Sequence, residues 1–312
     1  MSTPVILGLD FGGTKIAVAV CDITGQRLGR TTVKTMPELG ARASFARAIG
    51  AGRALLQAVA AGATPVAVGA STIGIPGEHG VALAPTLPGW DQFALGRELR
   101  IAFDRAEVCL ATDVKAAASA EAEQGALVDC DPGIYLNLGT GLAAAVVVGG
   151  RVIGGRHGAS GEIGYNLRSV ADVGLDAVDR TPLEEAVSGY ALARHALALG
   201  PESHGAAEVF ARAPNNPAIA ELLRSFIAEL SFHVVNLAIA IDPARIAVGG
   251  GLVRSWPVIE AGLRRALRAA VPYPPELVIA RFPHDAPLIG ALTLGITAAR
   301  ARLTREAPAW AD

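Results

Sequence analysis

The sequence predicts an α/β protein made of two related halves, and two observations carry that prediction. A strand, glycine turn and strand occur twice, as "ILGLDFGGTKIAVAV" near the N-terminus and "IYLNLGTGLAAAVVV" near the middle; a unit used twice marks a duplicated architecture. Short β-branched runs then lead into alanine- or leucine-rich stretches of helical period. With 312 residues, 51% of them hydrophobic and 18% charged, the chain holds enough apolar mass for two cores.

In chain order, residues 5–9 and 16–21 form a hairpin bounded by glycines, and the alanine-rich stretch 41–61 is helical. "PVAVGASTIGIPG", from Pro65, is a buried strand running into a glycine–proline loop. "ALAPTLPGWDQFALGRELRIAF" reads as a loop followed by an amphipathic helix. "EVCLATDVKAAASAEAEQGA" reads as a strand ending near Ala111, with a helix starting at Thr112 or Asp113. The second glycine-turn unit follows, with a further hairpin at Gly149-Gly150. The C-terminal half is mainly helical: "TPLEEAVSGYALARHALAL", "NPAIAELLRSFIAELSFHVVNLAIAI" and "WPVIEAGLRRALRAAV". Between the last two, "DPARIAVGGGLV" is a short strand entering three glycines. "DAPLIGALTLGITAARARL" is a final helix whose apolar face docks back on a domain.

Net charge is −2 with no block of like charges, so neither nucleic acid nor a membrane surface is an expected partner. Cys21, Cys109 and Cys130 lie far apart, which argues against a disulfide framework or a cysteine-based metal centre and for a reducing cytoplasm. No basic region precedes the first apolar run, so no signal peptide is expected. The uncharged stretches 54–77 and 132–150 are broken by proline and glycine and do not read as membrane spans.

A phosphate chain needs backbone N–H groups unobstructed by Cβ atoms, with a hydroxyl or cation alongside. "DFGGTK" offers Gly12, Gly13, Thr14 and Lys15; "NLGTG" offers Gly139, Thr140 and Gly141; a third cluster is Gly249, Gly250 and Gly251. Any one of them alone could be a plain turn. Three such clusters at strand ends favour binding. The chain has no G-x-x-x-x-G-K-[ST], and no G-x-G-x-x-G opening a helix after the first strand, so a nucleotide is expected between two hairpin-bearing domains. Asp113, at a strand end, is either a general base or a helix N-cap. Lys15 either touches phosphate or extends along the surface.

At these residues the chain resembles the ROK family of sugar kinases within the actin-like ATPase superfamily. "LGLDFGGTK" and "LNLGTG" match its two phosphate motifs, "TDVKAAASAEAEQGA" its catalytic segment, "HGASGEIGY" its sugar loop and "IDPARIAVGGG" its adenosine motif, and "APLIGALTLG" also fits. The resemblance implies two ribonuclease H-like domains of actin and hexokinase type around an interdomain cleft. They would be an N-terminal domain over 1–112, a larger one over 113–285, and a helix over 286–312 packing back on the first. It implies ATP and Mg²⁺ as cofactors, Asp113 as catalytic base, and Asp10 holding Mg²⁺ through water; alternatively Asp10 is a turn acid that accepts from the Gly12 and Gly13 amides. Asp10 and the three glycine clusters, with Thr14, Lys15 and Thr140, would hold ATP. Gly77, Thr86, Thr112, Asp113, Glu162, Tyr165 and Glu184 would read the sugar. Glu185 leaves the register of Glu184 open, and Trp90 is more simply a packing residue. A homodimer is also implied.

Three departures bear on the acceptor. Tyr165 stands where the family has His, and residues 166–182, "NLRSVADVGLDAVDRTP", lack the cysteine cluster that binds zinc in the family, so no zinc is expected. His157 and His195 do not replace that cluster. The family's N-D-A-N is T-D-V-K, with Lys115 expected to face solvent, and Thr86 replaces an Asn. The expected activity is therefore phosphorylation, at O6, of glucose or another hexose, with an amino-hexose such as kanosamine or N-acetylmannosamine, or a cyclitol, as the alternative. A non-catalytic sugar sensor and a different actin-like ATPase are the rival classes. DNA binding is not expected, because the family's repressors carry an N-terminal helix-turn-helix and here the first strand begins within a few residues of Met1.

Overall fold

The computed structural model describes residues 4–176, 178–200, 205–283 and 285–306. The chain divides into two compact units: Met1–Ala120 with Gly154–Ala159 and Asp285–Asp312, and Glu121–Ile153 with Ser160–His284.

The first unit opens with β1 (Val5–Phe11), β2 (Lys15–Asp22) and β3 (Arg27–Lys34), an antiparallel meander. α1 (Gly40–Val59), β4 (Ala67–Thr72), a ribbon of β5 (Ile75–Pro76) and β6 (Val81–Ala82), α2 (Leu95–Ala102) and β7 (Glu107–Thr112) follow. The sheet order is β3-β2-β1-β4-β7, with β4 parallel to both β1 and β7. Because successive side chains in a strand point to opposite faces, Leu7, Leu9 and Phe11 join the core shared with α1, while Ile6 faces the other way toward Leu288 and Leu292. Those two leucines lie on α8 (Ala286–Glu306), the last helix, which covers that second face. β3 is polar, "RLGRTTVK", and half-exposed at the sheet edge; with no apolar run, its sequence carries little strand signal.

α3 (Asp113–Gln124) follows β7, and the unit boundary falls inside it. The second unit contains β8 (Gly133–Leu138), β9 (Leu142–Val148), β10 (Arg151–Val152), α4 (Gly189–Ala198), α5 (Ala206–Arg212), α6 (Pro217–Ile241), β11 (Arg245–Gly249), α7 (Trp256–Ala270) and β12 (Glu276–Ile279). Its sheet runs β10-β9-β8-β11-β12, two antiparallel pairings followed by two parallel ones. The first sheet has the same order and the same directions, so the repeat seen in the sequence is a repeat of sheet topology. β12, four residues long, was not singled out from the sequence. Glu121, fully buried at the end of α3, accepts backbone N–H bonds from Ala126 (2.6 Å), Arg281 (3.1 Å) and Phe282 (2.8 Å). Three donors on one carboxylate offset the cost of burying it.

α6 starts at an Asn216 cap whose side chain accepts from the N–H groups of Ala218 and Ile219, with Pro217 in the first turn. Among the described residues it is the one helix long and apolar enough to cross a membrane. Leu223, Phe226, Leu230 and Val234 on it are buried in the core of the second unit. The stretch read as one helix from Thr181 begins its helix only at Gly189. Ser188 caps it, accepting from Ala191 N at 3.0 Å, and Leu183–Glu185 form a separate 3-10 turn.

Candidate active site

Of the residues singled out in the sequence, Asp10, Gly12, Gly13, Thr14, Lys15, Gly77, Thr86, Thr112 and Asp113 belong to the first unit. Gly139, Thr140, Gly141, Glu162, Tyr165, Glu184 and Gly249–Gly251 belong to the second.

In the first unit the β1–β2 turn closes with Gly12 N donating to Lys15 O at 3.1 Å. Thr35 pins it from behind: its N–H donates to Thr14 O (3.0 Å) and its hydroxyl to Gly12 O (2.6 Å). The side chains of Thr14 and Lys15 remain exposed. Asp10, one residue before the end of β1, lies level with Ser71 on β4, whose hydroxyl donates to its Oδ1 at 2.8 Å. Burial pushes the Asp10 carboxyl up to about 6; the Ser71 hydroxyl and Lys15 pull against that shift, and Asp285 adds to it. A carboxyl held so far from its ordinary range wants a nearby cation, and a hydrated divalent ion suits it. Sequence reasoning missed Ser71, a small polar residue inside an otherwise apolar strand. Thr86 lies next to the turn, with its Oγ1 3.8 Å from where a Cβ on Gly13 would stand. Gly77 sits in the β5–β6 ribbon, donating to Gly80 O at 2.8 Å. Trp90 is buried against Phe11 and Phe93, as a packing residue would be, with ring centroids 5.3 and 5.6 Å away.

At the start of α3 the cap is Thr112: its Oγ1 accepts from Lys115 N at 3.2 Å. Asp113 is the first helical residue, and its Oδ1 accepts from Val114 N at 2.9 Å. A carboxylate in the first turn of a helix interacts favourably with the positive end of the helix dipole. Lys115 does not face solvent as expected; it is 6% exposed. The first turns of α3 are packed on every side, with Val114, Ala116, Ala117 and Ala118 all buried, so position 115 has no outward face to occupy.

In the second unit three backbone segments converge. The β8–β9 turn closes with Gly139 N donating to Gly141 O at 3.0 Å, and Gly139 O accepts from Gly189 N, the first residue of α4, at 2.8 Å. Tyr190 N donates to Thr140 O at 3.3 Å, while the Thr140 side chain stays exposed. Gly250, with φ +90, lies against Leu138 O and Gly139 N so closely that a Cβ would collide with both. Positive φ and this approach together admit only glycine. The glycine turn, the helix N-terminus and Gly250 thus form one backbone-lined cradle, in which the N–H groups of Gly139, Gly189 and Tyr190 bond to carbonyl oxygens of the turn itself. The start of α4 was not anticipated from the sequence; the Ser188-Gly189 pair is its only local signal.

Glu184 turns toward that cradle: its Oε2 accepts from Leu142 N at 2.7 Å. Glu185 pairs with Arg194 at 2.5 Å on the surface, so the two neighbouring glutamates separate cleanly. Burial raises the Glu184 carboxyl, with Glu185 and Glu162 adding to the shift. Tyr165 is 44% exposed, and burial of its remainder, with Glu184 and Glu162 nearby, raises its phenol. Glu162, Tyr165 and Glu184 therefore share one neighbourhood. The following segment does not suit a thiolate-bound zinc: residues 166–182 contain no cysteine and carry the cations Arg168 and Arg180.

Comparison with known proteins identifies the relatives of this chain. The ROK family profile matches residues 6–298. The chain is 30% identical over 298 residues to the bifunctional enzyme NanE/NanK of Brucella melitensis, covering 95% of this chain and 54% of that protein; it thus spans about half the length of that relative. It is 29% identical to a kanosamine kinase of Amycolatopsis mediterranei, covering 83% of this chain and 84% of the other. The crystal structure of a ROK family glucokinase from Streptomyces griseus, in complex with glucose and AMPPNP, superimposes with a TM-score of 0.72 at 26% identity, covering 94% of this chain and 99% of that one. With its glycine turns, its twin sheets and a family match over nearly its whole length, this chain belongs to the ROK family and has that family's actin-like, ribonuclease H-type α/β fold.

Proposed function

We propose that the protein is a kinase that transfers the γ-phosphoryl group of ATP to a hydroxyl, O6, of a hexose or a close hexose analogue. The observation that carries this reading is the pair of glycine turns, Gly12–Gly13 in the first unit and Gly139–Gly141 in the second, each closing the first hairpin of its sheet with an acid beside it, Asp10 in one and Glu184 in the other. Family membership supports it, as does the AMPPNP held by the Streptomyces griseus glucokinase. Phosphoryl transfer requires positioning, charge neutralisation and a base, and little covalent work from the protein. Asp113 accepts the proton of the attacking hydroxyl. That oxygen attacks the γ-phosphorus while the bond to the β–γ bridging oxygen breaks, and ADP leaves. The glycines of the two turns, with Thr14, Lys15, Thr140 and Gly249–Gly251, hold the nucleotide. Mg²⁺, when bound, supplies charge neutralisation at the phosphates, and Asp10 would hold it through water.

Glu162, Glu184 and Tyr165, with Gly77, Thr86 and Thr112, read the sugar hydroxyls. Glucose is the first candidate. An amino-hexose such as kanosamine or N-acetylmannosamine, or a cyclitol, is the second reading. Within it, kanosamine is favoured by the nearness of two carboxylates and a phenol, which suits its free, cationic amine, and by the likeness to a kanosamine kinase. The chain works as a homodimer in a reducing cytoplasm, without zinc and without nucleic-acid or membrane partners; its three cysteines are unpaired.

A coupled assay of ADP release over a panel of hexoses, amino-hexoses and cyclitols tests the reading. At least one should give turnover, and Asp113→Asn should cut kcat by ~10²- to 10⁴-fold with an unchanged melting temperature. Folded protein that releases no ADP with any of them overturns the kinase, and sugar binding by calorimetry without turnover would replace it with a sensor.

A further inference from the structure

The segment that follows Glu162 and Tyr165 has almost nothing apolar to hold it down. Val170, Val173 and Val178 are 89%, 67% and 91% exposed, so hydrophobic burial does not fix its path. Polar contacts do. Glu229 and His233 stand four residues apart on α6, hence one above the other on one face of that helix. Arg168 meets Glu229 in a bidentate pair, Nε to Oε1 at 2.5 Å and Nη2 to Oε2 at 3.0 Å. Asn166 Nδ2 lies 3.3 Å from Nδ1 of His233, whose ring is 5% exposed. Arg180 then reaches back to donate to the carbonyl oxygens of Tyr165 (2.9 Å) and Asn166 (3.4 Å). Between these points Asp172 accepts from the N–H groups of Arg168 (2.7 Å) and Ser169 (3.0 Å), which stiffens the intervening turn.

Each contact holds a residue within four positions of Tyr165, two of them through side chains and two through the backbone. Tyr165 N donates in turn to Glu162 O at 3.1 Å, so whatever fixes residues 165–168 also fixes Glu162. A planar guanidinium on a carboxylate sets orientation as well as distance, which a point charge would not.

We propose that Arg168 on Glu229 and Asn166 on His233, closed by Arg180, form a polar clamp that positions Glu162 and Tyr165 for the sugar, in the place where the family resemblance would put a thiolate zinc. This rests on the sugar-kinase reading for its consequence, though the clamp itself does not. These are positioning residues: Arg180 holds the Tyr165 carbonyl directly, the others hold the chain that continues from it, and none touches the substrate.

The test compares the native chain with Arg168→Met, Glu229→Gln and the exchanged pair Arg168→Glu with Glu229→Arg, using Val170→Ser as a surface control. Amide hydrogen exchange should accelerate ~10-fold or more across residues 162–181 in the two single variants, with the β8–β9 strands unchanged. The exchanged pair should recover part of that protection. Loss of one charge-assisted contact should raise the KM for the sugar ~10- to 100-fold while the KM for ATP stays within about twofold. Elemental analysis of the native protein should find zinc far below one per chain. Unchanged exchange over 162–181 in both single variants, an equal rise in both KM values, or stoichiometric zinc would each overturn the clamp. If no sugar on the panel gives turnover, the kinase reading fails while hydrogen exchange still decides the clamp.

Discussion

Asp10 shows how one side chain can be costly to the empty fold and yet, in the proposed reaction, useful. Its carboxyl, raised to about 6 by burial, takes up a proton on folding between about pH 4 and pH 6. The stability linked to that proton is present below the unfolded value and is lost as pH rises through about 6. Asp10→Asn keeps an acceptor for Ser71 and removes the titration. In metal-free buffer the melting temperature of native protein should therefore fall more steeply from pH 5 to pH 7.5 than that of the variant. At pH 7.5 the variant should be the more stable of the two and yet nearly inactive with Mg²⁺ and ATP. Parallel curves for the two proteins would show that Asp10 is not the group titrating. The same scale separates Glu184 from Glu185, since one accepts from Leu142 N and the other pairs with Arg194. No property of the isolated dipeptide distinguishes them.

At the scale of elements, glycine decides how closely α8 approaches its sheet. A Cβ at Gly69 would collide with the carbonyl of Ala291, and one at Gly8 would stand 2.7 Å from Leu292 Cδ2. Both glycines sit inside strands, where glycine is ordinarily unfavourable, and here they are required by the contact. Gly69→Ala should lower stability by roughly 1–3 kcal/mol, because a packed interface yields little to an added methyl. Gly50, exposed on α1 with open space around its Cα, makes the opposite case. Gly50→Ala should raise stability by about 0.5–1 kcal/mol through helix propensity alone. Chemical denaturation of the two variants checks both signs. The late start of α4 belongs to this scale as well. With Ser188 as cap, Glu184 stays outside the helix and is free to turn toward the glycine turn, and Gly189 N is left to bond Gly139 O.

For the molecule as a whole, the two sheets repeat one order and one set of strand directions, and each ends its first hairpin in a glycine turn. Asp10 and Asn137 occupy equivalent rungs, one pair before the turn, opposite Ala17 and Ala143. The duplication thus placed a carboxylate in one copy and an amide in the other, and in the proposed reaction only the first would attract a cation. The homodimer proposed above predicts a single species at twice the chain mass of 31.8 kDa in sedimentation velocity. A monomer at micromolar concentration would remove it.

By itself the sequence determined the duplicated α/β plan, the three glycine clusters and the acids beside them, because these are local signals: apolar period, turn chemistry and residue type at a strand end. It was silent on β3 and β12, whose short or polar strands are specified by pairing with a neighbour. It also misplaced Lys115, since an alanine-rich helix offers no contrast by which to tell its buried face from its exposed one. Only the tertiary structure decided that Gly139, Gly189 and Gly250 meet, that Glu184 and not Glu185 turns inward, and that Arg168 finds Glu229 across 61 residues. Those are contacts between distant parts of the chain, and their energy exists only once the sheets and helices have brought the partners within bonding distance.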